Sequence, residues 1–154
     1  MTRQIDGLSY NLCLTDTAGQ EEYRSLWAAS NLSSDAFLLA YDITSPSSLD
    51  GLTWFLDMIA IEAENRIEEN NRLLREKGMR VKGRREEGWR IAPICIVAGN
   101  KCDLKEKRVI SSKVGWEWAR ARGCGFMETS AREMVNIEET FACMFSPVSA
   151  SALT

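Results

Sequence analysis

Apolar and polar residues alternate over residues 8–15, where Leu8, Tyr10, Leu12 and Leu14 interleave with Ser9, Asn11, Cys13 and Thr15. A period of two predicts a strand with one apolar face. Asp6-Gly7 just before it is a favoured two-residue turn pair, so residues 1–15 read as a hairpin whose first strand is very short. Two continuous apolar runs follow, AFLLAYDI at 36–43 and IAPICIVAG at 91–99. Such runs suit strands buried on both faces of a parallel sheet. Leu49, Leu52, Phe55, Leu56, Ile59 and Ala63 form one stripe of a helix predicted from 47 to about 75. A shorter helix is expected over 112–122, a short strand at GFMET, 125–129, and a last helix over 137–145. Asn136 is its expected N-cap, Glu139 takes the capping-box position, and Pro147 stops it. Strand and helix alternate throughout, which predicts an α/β fold with a mostly parallel sheet.

One segment breaks the pattern. From Glu62 to Arg90 the chain is almost all polar. Glu62–Arg66 and Glu68–Arg72 stand at i,i+4, so the helix is expected to continue as a solvated extension. The stretch REKGMRVKGRREEGWR then reads as a basic loop. A charged insertion at about 62–90 is therefore expected within one domain over 1–146, followed by a disordered tail at 147–154.

Composition narrows the chemistry. The 154 residues carry a net charge of -3, and the acidic residues interrupt the basic stretch, so nucleic acid is a poor fit. No apolar run is long enough to span a bilayer, and no apolar leader opens the chain, so a cytoplasmic protein is expected. The five cysteines include no C-x-x-C pair and read as small buried hydrophobes of a reducing compartment. There is no histidine, which removes the Ser-His and Cys-His nucleophile arrangements and the commonest zinc ligand.

Three short motifs follow one another, each after a predicted strand: Asp16-Thr17-Ala18-Gly19-Gln20, Asn100-Lys101-Cys102-Asp103 and Glu128-Thr129-Ser130-Ala131-Arg132. In parallel α/β sheets ligands sit beyond the carboxyl ends of the strands, so the three loops are expected at one rim. Asp16 can hold a magnesium ion through water. Gly19 lets its backbone N–H approach a phosphate closely, and Gln20 can orient a water without carrying charge. Asp103 offers two acceptor oxygens that match adjacent N–H donors on a guanine edge. Asn100 can brace the loops, the stem of Lys101 can lie over a ring face, and the N–H of Ala131 can reach a base carbonyl. Each motif alone is weak; their order and placement together make the signal.

With these residues the sequence resembles the Ras-type small GTPases. DTAGQEEYRSLW resembles that family's switch II segment, VAGNKCDL its guanine-recognition loop and ETSAR its last base-contacting loop. The resemblance runs from about Ile5 to Phe145, around the insertion. It implies a P-loop NTPase-like sheet flanked by helices, binding of GTP and GDP with Mg²⁺, and GTP hydrolysis in a signalling switch. It implies Asp16 as the water-mediated magnesium ligand, Gly19 as the phosphate sensor and Gln20 as the catalytic residue that positions water. Asn100, Lys101 and Asp103 would recognise guanine, helped by Ser130 and Ala131. Exchange factors, GTPase-activating proteins and effectors would dock on the switch II region, 19–30, which includes Glu21, Glu22, Tyr23 and Trp27.

The sequence departs from that family in two places. No G-x-x-x-x-G-K-[S/T] occurs among the ten glycines, and no first switch precedes Asp16. That loop cradles the phosphates with backbone N–H groups and supplies a lysine and a magnesium-binding hydroxyl. YDIT, 41–44, follows the Asp16 loop and reads as the end of a buried strand. The expectation is an amino-terminally truncated domain without the family's first strand and first helix, binding nucleotide poorly and hydrolysing GTP negligibly. Its alternatives are a nucleotide-free interaction module and a defective fragment. The last cysteine is Cys143, so no C-terminal prenylation box is expected.

Overall fold

The computed structural model describes residues 2–5, 8–17, 31–77 and 90–145. Strands β1 (Thr2–Ile5) and β2 (Leu8–Asn11) pair antiparallel, with Ile5 opposite Leu8 and Thr2 opposite Asn11. Two residues separate the strands, the length of a tight hairpin turn; Asp6-Gly7 itself lies outside the described residues. The strand predicted over 8–15 ends at Asn11, because its partner supplies ladder positions only as far as Thr2. Residues 12–17 continue without regular structure, and the apolar side chain of Leu14 is 58% exposed.

A second, parallel sheet is built from β3 (Ala36–Asp42), β4 (Ile94–Asn100) and β5 (Gly125–Glu128), in that order. Among the described residues no ladder joins it to the hairpin. β4 lies in the middle and is buried continuously from Ile96 to Gly99, as a strand covered on two faces must be. β3 differs from the two-faced burial its apolar run predicts. It is the end strand of the order and buries only alternate residues, Phe37, Leu39 and Tyr41.

Helices α1 (Pro46–Asp50) and α2 (Leu52–Lys77) replace the single helix predicted from 47. They divide at Gly51, a weak helix former that ends the first turn. Leu49, Leu52, Leu56 and Ile59 make the buried stripe and pack on Phe37, Leu39, Tyr41, Ile43 and Val97. Each such side chain taken from water is worth roughly 1.5–3 kcal/mol, so this helix–sheet contact dominates the core. α3 (Ser112–Arg120) starts at Ser111, whose Oγ accepts from Val114 N at 3.3 Å. α4 (Ile137–Phe145) starts after Asn136. Asn136 has a φ of 54°, and its Nδ2 donates to Glu128 O at 2.8 Å. Its amide thus ties the helix start to the end of β5, where a helix cap was expected.

The far half of α2 is not the fully solvated extension its charges suggest. Arg66 is 2% exposed and Asn70 7%. Arg66 donates to Leu32 O (2.6 Å), Ser34 O (2.9 Å) and Ile91 O (3.1 Å), and its Nε meets Glu62 Oε1 at 2.8 Å. Asn70 forms a two-bond clasp with the backbone of Arg90, 2.6 Å from Nδ2 to O and 3.1 Å from N to Oδ1. The Arg90 guanidinium turns back to Glu62 (3.2 Å) and Ser33 O (3.3 Å). The Glu62–Arg66 pair forms as its spacing predicts, whereas Arg72 pairs with Glu69 (2.6 Å) and Glu76 (3.9 Å). Of the predicted basic loop, residues 75–77 belong to α2 and Arg90 is held by Asn70, while residues 78–89, the switch II region and the tail lie outside the described residues. No described helix is long and apolar enough to cross a membrane.

Candidate functional site

The register of the parallel sheet places Asp42 opposite Asn100 and Gly99 opposite Glu128. The carboxyl ends of all three strands therefore meet at one rim, and the two downstream motifs leave from it. Cys102 N donates to Thr129 O (3.0 Å) and Thr129 N to Gly99 O (2.9 Å), so backbone bonds hold the loops together before any side chain acts.

Asn100 extends the tie. Its Oδ1 accepts from Ala131 N at 3.1 Å and from Thr129 Oγ1 at 3.5 Å. The N–H of Ala131, read from the sequence as a donor to a base carbonyl, here meets Asn100. Asp103 Oδ1 accepts from Ser130 Oγ at 2.6 Å, and Ser130 Oγ accepts in turn from Glu133 N at 3.1 Å. Ser130 is fully buried, so its hydroxyl fixes the Asp103 carboxylate from beneath. Among the described residues the second oxygen of Asp103 has no partner. The carboxylate thus presents one fixed and one open acceptor at a half-buried position.

Lys101 takes a left-handed backbone conformation, φ 66°, which turns its side chain back across the rim. Its Nζ meets Asp42 Oδ2 at 2.6 Å. Asp42 Oδ1 accepts from both Thr44 N (2.8 Å) and Thr44 Oγ1 (2.7 Å). Burial pushes the Asp42 carboxyl up, but the Lys101 ammonium and the Thr44 donors outweigh it and hold the group below its ordinary value. In the middle of the same loop, burial and then the nearby carboxylates of Glu128 and Asp103 push the Cys102 thiol up. Glu128 is itself held by Arg108, at 2.5 and 3.1 Å, and Arg108 also donates to Ile110 O.

Tyr41 and Ile43 are 2% and 0% exposed, but β3 ends at Asp42, so only the first half of YDIT is the strand end expected; Ile43 and Thr44 form the turn after it, and Asp42 and Thr44 are half-buried. The Tyr41 hydroxyl lies against Gly99 and Gly115, where a Cβ would collide with it. Among the described residues it has no hydrogen-bond partner, and burial raises its pKa to about 12. Asp42, Thr44, Arg108 and Tyr41 were missed as site-supporting residues. The Asp-x-Thr spacing is the signature of a local side-chain turn and could have flagged the first two.

Asp16 is exposed in the irregular segment after β2. Among the described residues no hydrogen bond or ion pair joins it to the rim, and no cluster of three carboxylate or thiol groups could hold a metal ion. A magnesium ion commonly takes one or two carboxylates and completes its shell with water and phosphate oxygens, so Asp16 supplies one donor and not a site. Gly19 and Gln20 lie outside the described residues.

The Ras family model matches this chain over residues 1–74 and 81–150, and the break begins in the last residues of α2. The GTP-binding protein YPTM1 of Zea mays is 28% identical over 150 residues, covering 97% of this chain and 60% of that protein. The GTP-binding protein YPT1 of Saccharomyces cerevisiae is 30% identical over 143 residues, covering 93% of this chain and 57% of that protein. A Ras-like protein of Laccaria bicolor is 37% identical over 130 residues, covering 84% and 50%. The chain thus spans between half and three-fifths of the length of these relatives. A match across nearly its whole length, together with a parallel sheet whose loops carry the Asn100–Asp103 and Glu128–Arg132 motifs in order, establishes that this chain belongs to the Ras family.

Proposed function

We propose that the rim of the parallel sheet is the base-reading half of a guanine-nucleotide site in a signalling switch that binds GTP and GDP. The observation that carries this reading is the Asn100–Ala131 and Asp103–Ser130 network, which presents a fixed carboxylate with one open oxygen beside a backbone N–H. Asp103 would accept from the adjacent N–H donors of a guanine edge. An adenine edge offers no such pair, so the site discriminates by leaving a carboxylate unpaired against the wrong base. Asp42 fixes the ammonium of Lys101, which sets its stem where it would cover a ring face. A base carbonyl would compete with Asn100 Oδ1 for the N–H of Ala131.

The phosphate side rests on fewer groups. Asp16 would contact magnesium through water, Gly19 would sense the terminal phosphate and Gln20 would position the attacking water. When bound, the metal neutralises charge on the phosphates; no Gly-Lys-Ser/Thr in this sequence helps to hold it. These residues therefore read the base but grip the phosphates poorly, and hydrolysis by them is negligible. Exchange factors, GTPase-activating proteins and effectors would dock on 19–30.

Titration of the purified chain with fluorescent GDP tests the reading. The expected result is binding weaker than about 1 μM that unlabelled GDP displaces and ADP does not. Micromolar or tighter binding would overturn the phosphate argument. Equal displacement by ADP would overturn the base argument and leave the chain as an interaction module.

A further inference from the structure

The β4–β5 register pairs Ile96 with Gly125 and Val97 with Phe126. Continued one residue back, that register sets Cys95 of β4 opposite Cys124, the residue just before β5. Neighbouring strands run about 4.8 Å apart, and register partners point to the same face. That spacing lies inside the Cα separation of about 4.4–6.8 Å that a disulfide bridges. The two thiols lie close enough for each to shift the other's titration. Cys124 is buried at 7% exposure, while Cys95 is half-buried and gives the pair an outer side. Cys124 Sγ also approaches Arg122 O at 3.6 Å, and the Arg122 guanidinium is stacked over Trp118 at 3.9 Å.

We propose that Cys95 and Cys124 form a reversible oxidation site, at which hydrogen peroxide converts the two thiols to a disulfide between β4 and β5. The environment divides the roles. The neighbouring Cys95 thiol and the Arg122 charge, opposed by burial, leave Cys124 below its ordinary value. The neighbouring Cys124 thiol, with burial, pushes Cys95 up. The thiolate is the nucleophile, so Cys124 reacts first. Its sulfur attacks one peroxide oxygen and the O–O bond breaks. The departing hydroxide takes up the proton that Cys124 lost, forming water and leaving a sulfenic acid. Cys95 sulfur then attacks Cys124 sulfur, an S–S bond forms and the S–O bond breaks. The second hydroxide takes the Cys95 proton. Two thiols lose two electrons, and the peroxide is reduced to two waters.

The bridge would close a loop that contains the Asn100–Asp103 motif and α3, and so would fix β4 to β5 behind the base-reading rim. In reducing compartments such bonds are transient and redox-sensing rather than structural. The site stands independently of the nucleotide reading.

Tryptic cleavage separates the partners conveniently: IAPICIVAGNK carries Cys95, GCGFMETSAR carries Cys124, and neither holds a second cysteine. The reduced, folded chain is treated with equimolar hydrogen peroxide and mapped by mass spectrometry. The expected product is these two peptides joined with the loss of two hydrogens, restored by dithiothreitol. In Cys95→Ser the expected product is a Cys124 sulfenic acid captured by dimedone. Prior oxidation of Cys13, Cys102 or Cys143, or a Cys95–Cys124 yield no higher in the folded chain than in urea, would overturn the proposal. A failure of Cys95→Ser to fold leaves the wild-type comparison with and without urea decisive.

Discussion

Replacing Arg66 by alanine removes a guanidinium that is 2% exposed and that satisfies three backbone carbonyls and one carboxylate. A hydrogen bond to a charged group is worth roughly 1.5–3 kcal/mol when its loss leaves a buried partner dry. Leu32 and Ser34 are half-buried and Ile91 is exposed, so their carbonyls rehydrate in part. Glu62, whose side chain is 17% exposed, keeps Arg90 at 3.2 Å and is not stranded. We therefore expect a loss of about 3 kcal/mol, less than the sum of four bonds but a large share of a typical margin of about 5–15 kcal/mol. Urea unfolding followed by circular dichroism reads this as a lower midpoint with an unchanged slope. Arg66→Lys keeps the charge but loses the fork, and its midpoint should lie between the two. Arg72→Ala is the control. Arg72 is 63% exposed, its partners are exposed as well, and its removal should change stability by less than about 0.5 kcal/mol. An Arg66→Ala midpoint no lower than that of Arg72→Ala would refute the clasp.

Tyr41→Phe removes a buried hydroxyl that has no partner among the described residues, so stability should stay level or rise by about 1 kcal/mol in thermal or urea unfolding; a fall of that size would show a bonded hydroxyl. Gly115→Ala drives a methyl group into the Tyr41 hydroxyl and the Phe126 ring and should cost about 1–3 kcal/mol, with partial recovery in the double variant with Tyr41→Phe. The Asp42 carboxyl lies below its unfolded value, so its contribution is present above about pH 4 and is lost as pH falls through the folded value. Melting curves of the wild type and Asp42→Asn should accordingly differ at neutral pH and converge in acid; a constant gap would separate the difference from the Lys101 pair.

The element order was legible because the apolar periods are strong. The runs at 36–43 and 91–99 and the stripe through Leu49, Leu52, Leu56 and Ile59 each point to one kind of element. What escaped the reading depends on distant partners. The early end of β2 follows from the reach of β1, and the alternate burial of β3 depends on which elements pack against its two faces. Arg66 reads as one more solvated charge because the carbonyls it binds lie 25 to 34 residues away. At the site, the order of the motifs marked Asn100, Asp103 and Ser130, since loops after parallel strands must meet. Asp42 stayed hidden because its ion pair with Lys101 spans 59 residues. Cys95 and Cys124 carry no motif spacing at all; only the sheet register brings them together.

Amide chemical-shift mapping of the chain with millimolar GDP, compared with ADP, tests the base-reading rim most directly. The account expects perturbations centred on residues 99–103 and 129–132 with GDP, absent with ADP and absent with GDP in Asp103→Ala. Equal perturbation by the two nucleotides, or a GDP response that survives Asp103→Ala, would contradict it.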